Sequence, residues 1–72
     1  MNRFQTKKLL LSKWTARNPV DKQKHFIVVA CLEDEITQKI THCTLEAVMT
    51  KTQFTVSPNA LKNADEWQMG WR

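Results

Sequence analysis

From Leu10 the chain alternates. Leu10, Ser12, Trp14 and Ala16 fall on one side of an extended backbone, and Leu11, Lys13, Thr15 and Arg17 on the other. That period of two predicts a short, half-buried strand. Asn18-Pro19 and Asp21 follow. They are turn chemistry, and proline has no N–H to give a sheet ladder, so the strand is expected to stop there. The run His25–Leu32, "HFIVVACL", is rich in Phe, Ile and Val and predicts a central strand buried on both faces. Glu33-Asp34-Glu35 then turns the chain.

The stretch 36–50, "ITQKITHCTLEAVMT", supports two readings. Ile36, Ile40, Cys43 and Ala47 line one face of a helix. Cys43, Leu45, Ala47 and Met49 alternate with Thr44, Glu46, Val48 and Thr50, as a strand requires. Thr37, Thr41, Thr44 and Thr50 weaken the helix, because β-branched side chains lose rotamer freedom there. The next segment, "QFTVS", favours the strand. A hairpin turning on Lys51-Thr52 sets Met49 against Phe54 and Ala47 against Val56, apolar against apolar. The even-numbered isoleucines and the odd-numbered later residues then need a bulge or bend near Thr41-His42 to share a face. Neither proposed turn contains glycine.

Ser57 reads as a helix N-cap and Pro58 as the first helical residue. Asn63 with Glu66 resembles a capping box. Trp67 and Trp71 share a face in a helix at i, i+4, and with Met69 they share one in a strand. Either way the two indoles are expected on one surface, as core or as a platform for a partner. The expected fold is mainly β (α+β if 36–50 is helical): a small antiparallel meander or SH3-like barrel of four or five strands with a short C-terminal helix. Residues 1–8 are expected as a flexible basic tail and 9–72 as a single small domain. Trp14, Phe26, Val28, Leu45, Ala47, Phe54, Val56 and Trp67 are the expected core.

Length limits what this core can do. A chain of 72 residues buries only about 60% of its unfolded surface. Two cysteines, Cys31 and Cys43, are too few for a disulfide framework, which leaves three Trp and three Phe as the staple. The apolar run Leu9–Leu11 is cut short by Lys13, too short for a signal peptide or a membrane span. A cytoplasmic location with reduced thiols is therefore expected.

Charge is uneven. Residues 1–25 set Arg3, Lys7, Lys8, Lys13, Arg17, Lys22 and Lys24 against Asp21 alone, whereas 26–50 set Glu33, Asp34, Glu35 and Glu46 against Lys39. Such asymmetry either keeps a segment soluble or marks a basic arm for an acidic partner. Catalytic chemistry is scarce. His42 and Cys43 are adjacent, so in a strand they point to opposite faces. His25, Cys31, His42 and Cys43 lack the paired ligand spacing of structural zinc, and Gly70 is the only glycine, so no phosphate-cradling loop exists. No catalytic residue, metal or cofactor is assigned. The expectation is a non-enzymatic binding or adaptor module for a protein partner, met through a strand edge or the Trp67/Trp71 surface. The alternative is RNA or single-stranded DNA, bound by Lys7, Lys8, Lys13, Trp14 and Arg17, with Trp71 and Arg72. Trp14 appears in both the core and the binding surface, and the two placements conflict. No oligomeric state is assigned.

Four separated stretches, "KLLLSKWTA" (8–16), "KHFIV" (24–28), "HCTLEAVMTK" (42–51) and "LKNADEWQMGW" (61–71), resemble the small bacterial tryptophan-rich proteins of unknown function. The position after the proline is often aromatic in that family; here it is Asn59. The resemblance implies a bacterial origin and supplies no catalytic or binding residues.

Overall fold

A computed structural model describes residues 1–20 and 22–72, Val20 by its backbone alone. Asp21, expected in the first turn, lies outside the described residues. Among the described residues five strands form one sheet: β1 (Lys13–Val20), β2 (Gln23–Glu33), β3 (Ile40–Ala47), β4 (Gln53–Val56) and β5 (Trp67–Met69). A 3-10 turn (Thr6–Lys8) precedes them, and the helix α1 (Pro58–Leu61) lies between β4 and β5. The strand order is β4-β3-β2-β1-β5, all antiparallel. The first four strands are a meander; β5 returns to the far side of β1. The fold is mainly β, and the sheet is open. The SH3-like barrel is set aside because β4 and β5 end as opposite edges instead of pairing with each other.

Within 36–50 the strand reading holds for β3, Ile40–Ala47, with the expected bulge, while the residues on either side of it form loops. Leu32 pairs with His42 and Glu33 with Ile40, leaving Thr41 as the extra residue that shifts the phase. The β3–β4 hairpin differs from expectation. Leu45 faces Phe54 and Cys43 faces Val56, so the pairing is slipped by four residues and Met49 lies in the loop, 85% exposed. A two-residue turn needs positive φ at one or both central positions, which suits neither Lys nor a β-branched Thr. The longer loop confines positive φ to Lys51, at 63°. An even slip preserves the faces, so the buried set survives.

Two further expectations are corrected. β1 runs through Pro19 to Val20, because its pairing with β2 is irregular between Thr15 and Val20, where a missing N–H costs no ladder bond. β2 is central but buried on one face only: Phe26 and Val28 are buried, Ala30 and Leu32 exposed. A single sheet this small has only enough chain to cover one side.

That side is the core. It contains Trp14, Phe26, Val28, Cys43, Leu45, Ala47 and Trp67, closed over by Leu9 and by Leu61 of α1. Phe26 meets Trp67 and Phe54 edge-on, at centroid distances of 5.4 and 5.5 Å. Of the expected core, Val56 is partly buried and Phe54 is 39% exposed, since β4 is an edge with no neighbour beyond it. Ser57 caps α1 as expected, its side-chain oxygen accepting from the Ala60 N–H. Asn63 does not cap a helix. Its side-chain oxygen accepts from the Asp65 N–H at 3.0 Å in a turn leading into β5. The N-terminal segment lies against the fold: Asn2 donates to the carbonyls of Leu61, Trp67 and Lys62 at 2.8–2.9 Å, and Phe4 meets Trp14 edge-on at 5.5 Å.

Candidate binding site at the end of β1 and β5

The chain's last residues cross from one face of the sheet to the other. β5 lies alongside β1, with Trp67 opposite Ala16 and Met69 opposite Trp14. Gly70 then takes φ of 80°, a backbone state that glycine adopts without the Cβ penalty other residues incur. This bend carries Trp71 onto the face opposite the core, where Lys13, Thr15 and His25 alternate with the buried Trp14 and Phe26. The expectation that Trp67 and Trp71 share a surface is therefore wrong. Trp67 is 8% exposed and faces the core; Trp71 is 42% exposed. Alternation does not survive a left-handed glycine.

Trp71 is held in place by polar contacts. Its indole N–H donates to the Phe26 carbonyl at 3.0 Å. The Thr15 hydroxyl, buried on this side, donates to the Gly70 carbonyl at 2.6 Å and accepts from the Arg72 N–H at 2.9 Å, so its polar group is satisfied. Arg72 Nε donates to the Met69 carbonyl at 3.2 Å. The Lys13 ammonium lies 4.8 Å from the Trp71 ring centroid, within cation–π range. The His25 ring is 5.9 Å away on the same face.

Beside this clasp is an open groove of about 420 Å³ lined by Phe4, Lys8, Leu9, Lys13, Trp14 and Met69, among others. Its floor is apolar, and two of its walls end in ammonium groups. Lys8, Lys13, Trp71 and Arg72 are thus gathered at one end of the sheet. Lys7 is not among them; it lines a separate cavity with Cys31 and Lys39. Arg17 is exposed farther along β1, where its backbone N–H donates to the Glu66 carbonyl at 2.9 Å. Trp14 is 1% exposed, with its indole N–H on the Ser12 hydroxyl at 2.8 Å. Its conflict resolves in favour of the core, and a buried ring cannot stack on a base.

Sequence reasoning missed Thr15, Phe4 and Met69 here. Phe4 and Met69 offered only apolar character, and Thr15 nothing beyond an outward position in the alternation. Among the described residues no group of three or more His, Cys, Asp or Glu side chains is placed to hold a metal. His42 and Cys43 point to opposite faces, paired with Leu32 and Cys31 respectively. Among the described residues no helix is long and apolar enough to cross a membrane.

The arrangement defines a class: a small, open antiparallel sheet with one packed face and a tryptophan clasped on the other. Residues 12–72 match the family described as tryptophan-rich protein (DUF2389), and the chain belongs to it. The family's function is unknown. No curated protein and no solved structure gives a significant match to the chain.

Proposed function

We propose that the protein is a non-enzymatic binding module for single-stranded nucleic acid. The observation that carries this reading is the half-exposed Trp71, clasped on the open face with Lys13 over its ring. Arg72 and the Lys8-walled groove lie at the same end of the sheet. An indole offers a stacking surface to any base, and cations beside it meet the phosphates on either side. The apolar floor of the groove suits a second base turned out of the strand. A protein partner bound across Trp67 and Trp71 loses its basis, since Trp67 faces the core. A protein adding a strand to the outer edge of β4 is the second reading, favoured by the partly exposed Phe54 on that edge. The bacterial origin and cytoplasmic location expected from the sequence belong to this proposal.

Fluorescence anisotropy of a labelled oligothymidylate tests it. With Lys8, Lys13 and Arg72 on phosphates, the salt slope is about −2, or roughly 100-fold weaker binding per tenfold rise in salt. Trp71→Ala weakens binding by about 1–3 kcal/mol, roughly 5- to 150-fold. Failure of the folded protein to bind single-stranded DNA or RNA at low salt would sink the proposal. Binding unchanged in both Trp71→Ala and the Lys8→Glu, Lys13→Glu pair would remove the site.

A further inference from the structure

Away from the Trp71 clasp, Cys31 and Cys43 stand directly opposite each other on β2 and β3, with their sulfurs 3.9 Å apart. Directly opposed residues in an antiparallel pair have Cα atoms about 4.5–5.5 Å apart, inside the span of roughly 4.4–6.8 Å that a disulfide bridges. The sulfurs need only approach to about 2.05 Å, a movement that side-chain rotation supplies without displacing either strand. The two thiols differ in access. Cys43 is buried, whereas Cys31 is partly exposed and lines a cavity of about 620 Å³ with Lys7 and Lys39 on its wall and Glu33 as the one acid. That wall attracts small anions towards Cys31.

We infer that Cys31 and Cys43 are a reversible oxidation site, in which Cys31 reacts first and Cys43 resolves the mixed disulfide it forms, and that its oxidant is an anionic low-molecular-weight disulfide. The Cys31 thiolate attacks one sulfur of the oxidant; the oxidant's S–S bond breaks and one small thiolate leaves. Cys43 then loses its proton to water, and its sulfur attacks the Cys31 sulfur, expelling the second small thiolate. Two protein thiols are oxidised, and one small disulfide is reduced to two thiols. The order of attack follows from the environments. Burial first, then the charge and hydrogen bonding of Cys31, push the Cys43 thiol up to about 12, so Cys43 does not start the reaction. Capping Cys31 removes its charge and with it one of the causes that keep Cys43 protonated. Packing alone explains a buried Cys43, but it does not call for a second cysteine, partly exposed, at the opposing position.

The test is incubation of the folded wild-type protein with oxidised glutathione, followed by thiol titration and intact mass. Tryptophan emission, recorded in parallel, confirms that the fold is retained. The expected result is a fall in free thiols from two to none, a monomer lighter by two hydrogen atoms, and full reversal by dithiothreitol. Under the same conditions Cys43→Ser keeps glutathione on Cys31, and Cys31→Ser stays unmodified. Unreacted thiols, a stable glutathione adduct on the wild type, a disulfide-linked dimer, or bridging only after unfolding would each overturn the inference. The wild-type mass alone decides between these outcomes, even if a serine variant fails to fold.

Discussion

At the scale of single residues, burial and charge separate groups that look alike in the sequence. Trp14 lies among lysines and arginines and Trp71 beside Arg72, yet one is core and the other a surface feature. Their indole N–H groups show the difference: Trp14 bonds to the Ser12 side chain two residues before it, Trp71 to the backbone of β2. Cys43 has a measurable consequence of the same kind. Its thiol is raised to about 12 from an ordinary 9.0, chiefly by burial. The folded state therefore holds the proton that the unfolded chain gives up. The stability this contributes is complete below pH 9 and is lost progressively as pH rises towards 12. Urea midpoints between pH 8 and 11 are expected to fall more steeply for the wild type than for Cys43→Ala. Parallel curves would mean that Cys43 is not protonated in the folded protein.

At the scale of elements, a few left-handed residues decide where strands end. Leu11, Lys22, Gln38 and Lys51 all have φ of 60–66°, and in a chain with a single glycine these turns carry a real conformational cost, roughly 1–2 kcal/mol per residue. The Asp34 turn offsets part of it. The Asp34 carboxylate accepts from the N–H groups of Thr37 and Ile36, at 2.9 and 2.8 Å, and these bonds lower its pKa. Gly70 is the turn with functional consequences. A Cβ there would meet nothing closer than the Arg72 side chain at 3.9 Å, so Gly70→Ala does not clash; its cost is backbone strain alone, about 1–2 kcal/mol. The expected outcome is a modest fall in thermal midpoint, with Trp71 emission shifted to the red as the indole leaves the Phe26 carbonyl. A variant with wild-type emission would show that the clasp does not depend on this bend.

At the scale of the whole molecule, stability is marginal and distributed along the chain. A domain of this length has about 4–11 kcal/mol in total, so one strap matters. Residues 1–8 supply the three Asn2 hydrogen bonds and the Phe4–Trp14 contact. At about 0.5–1.5 kcal/mol for each hydrogen bond and for the aromatic pair, deleting this segment is expected to cost about 2–6 kcal/mol. Chemical denaturation of the truncated protein measures it, and an unchanged midpoint would mean that the segment is a loose tail in solution. The Glu46–Lys51 pair, at 4.0 Å with Lys51 72% exposed, adds nothing comparable, because solvent screens it.

The alternation over 13–17, the β-rich run at 25–32, the phase change at Thr41 and the Ser57-Pro58 cap each rest on local chemistry and were legible in the order of residues. Leu10 and Leu11, by contrast, read into the first strand, form an exposed turn before it. Most of the buried set was legible too, because a strand's period of two assigns faces before its partners are known. The β3–β4 register was not legible, since slips by an even number preserve the apolar pattern. The one-sided burial of β2 and the open edges depend on how much chain is left to cover a sheet, which no local pattern reports. The binding site was legible only in part. Lys8, Lys13, Trp71 and Arg72 could be named from charge and aromaticity. Their gathering, and the separation of Trp71 from Trp67, came from β5 docking beside β1 and from a backbone bend at Gly70. Residues some 55 positions apart, such as Thr15 and Gly70, meet through tertiary pairing alone, and that pairing decided which tryptophan faces the solvent.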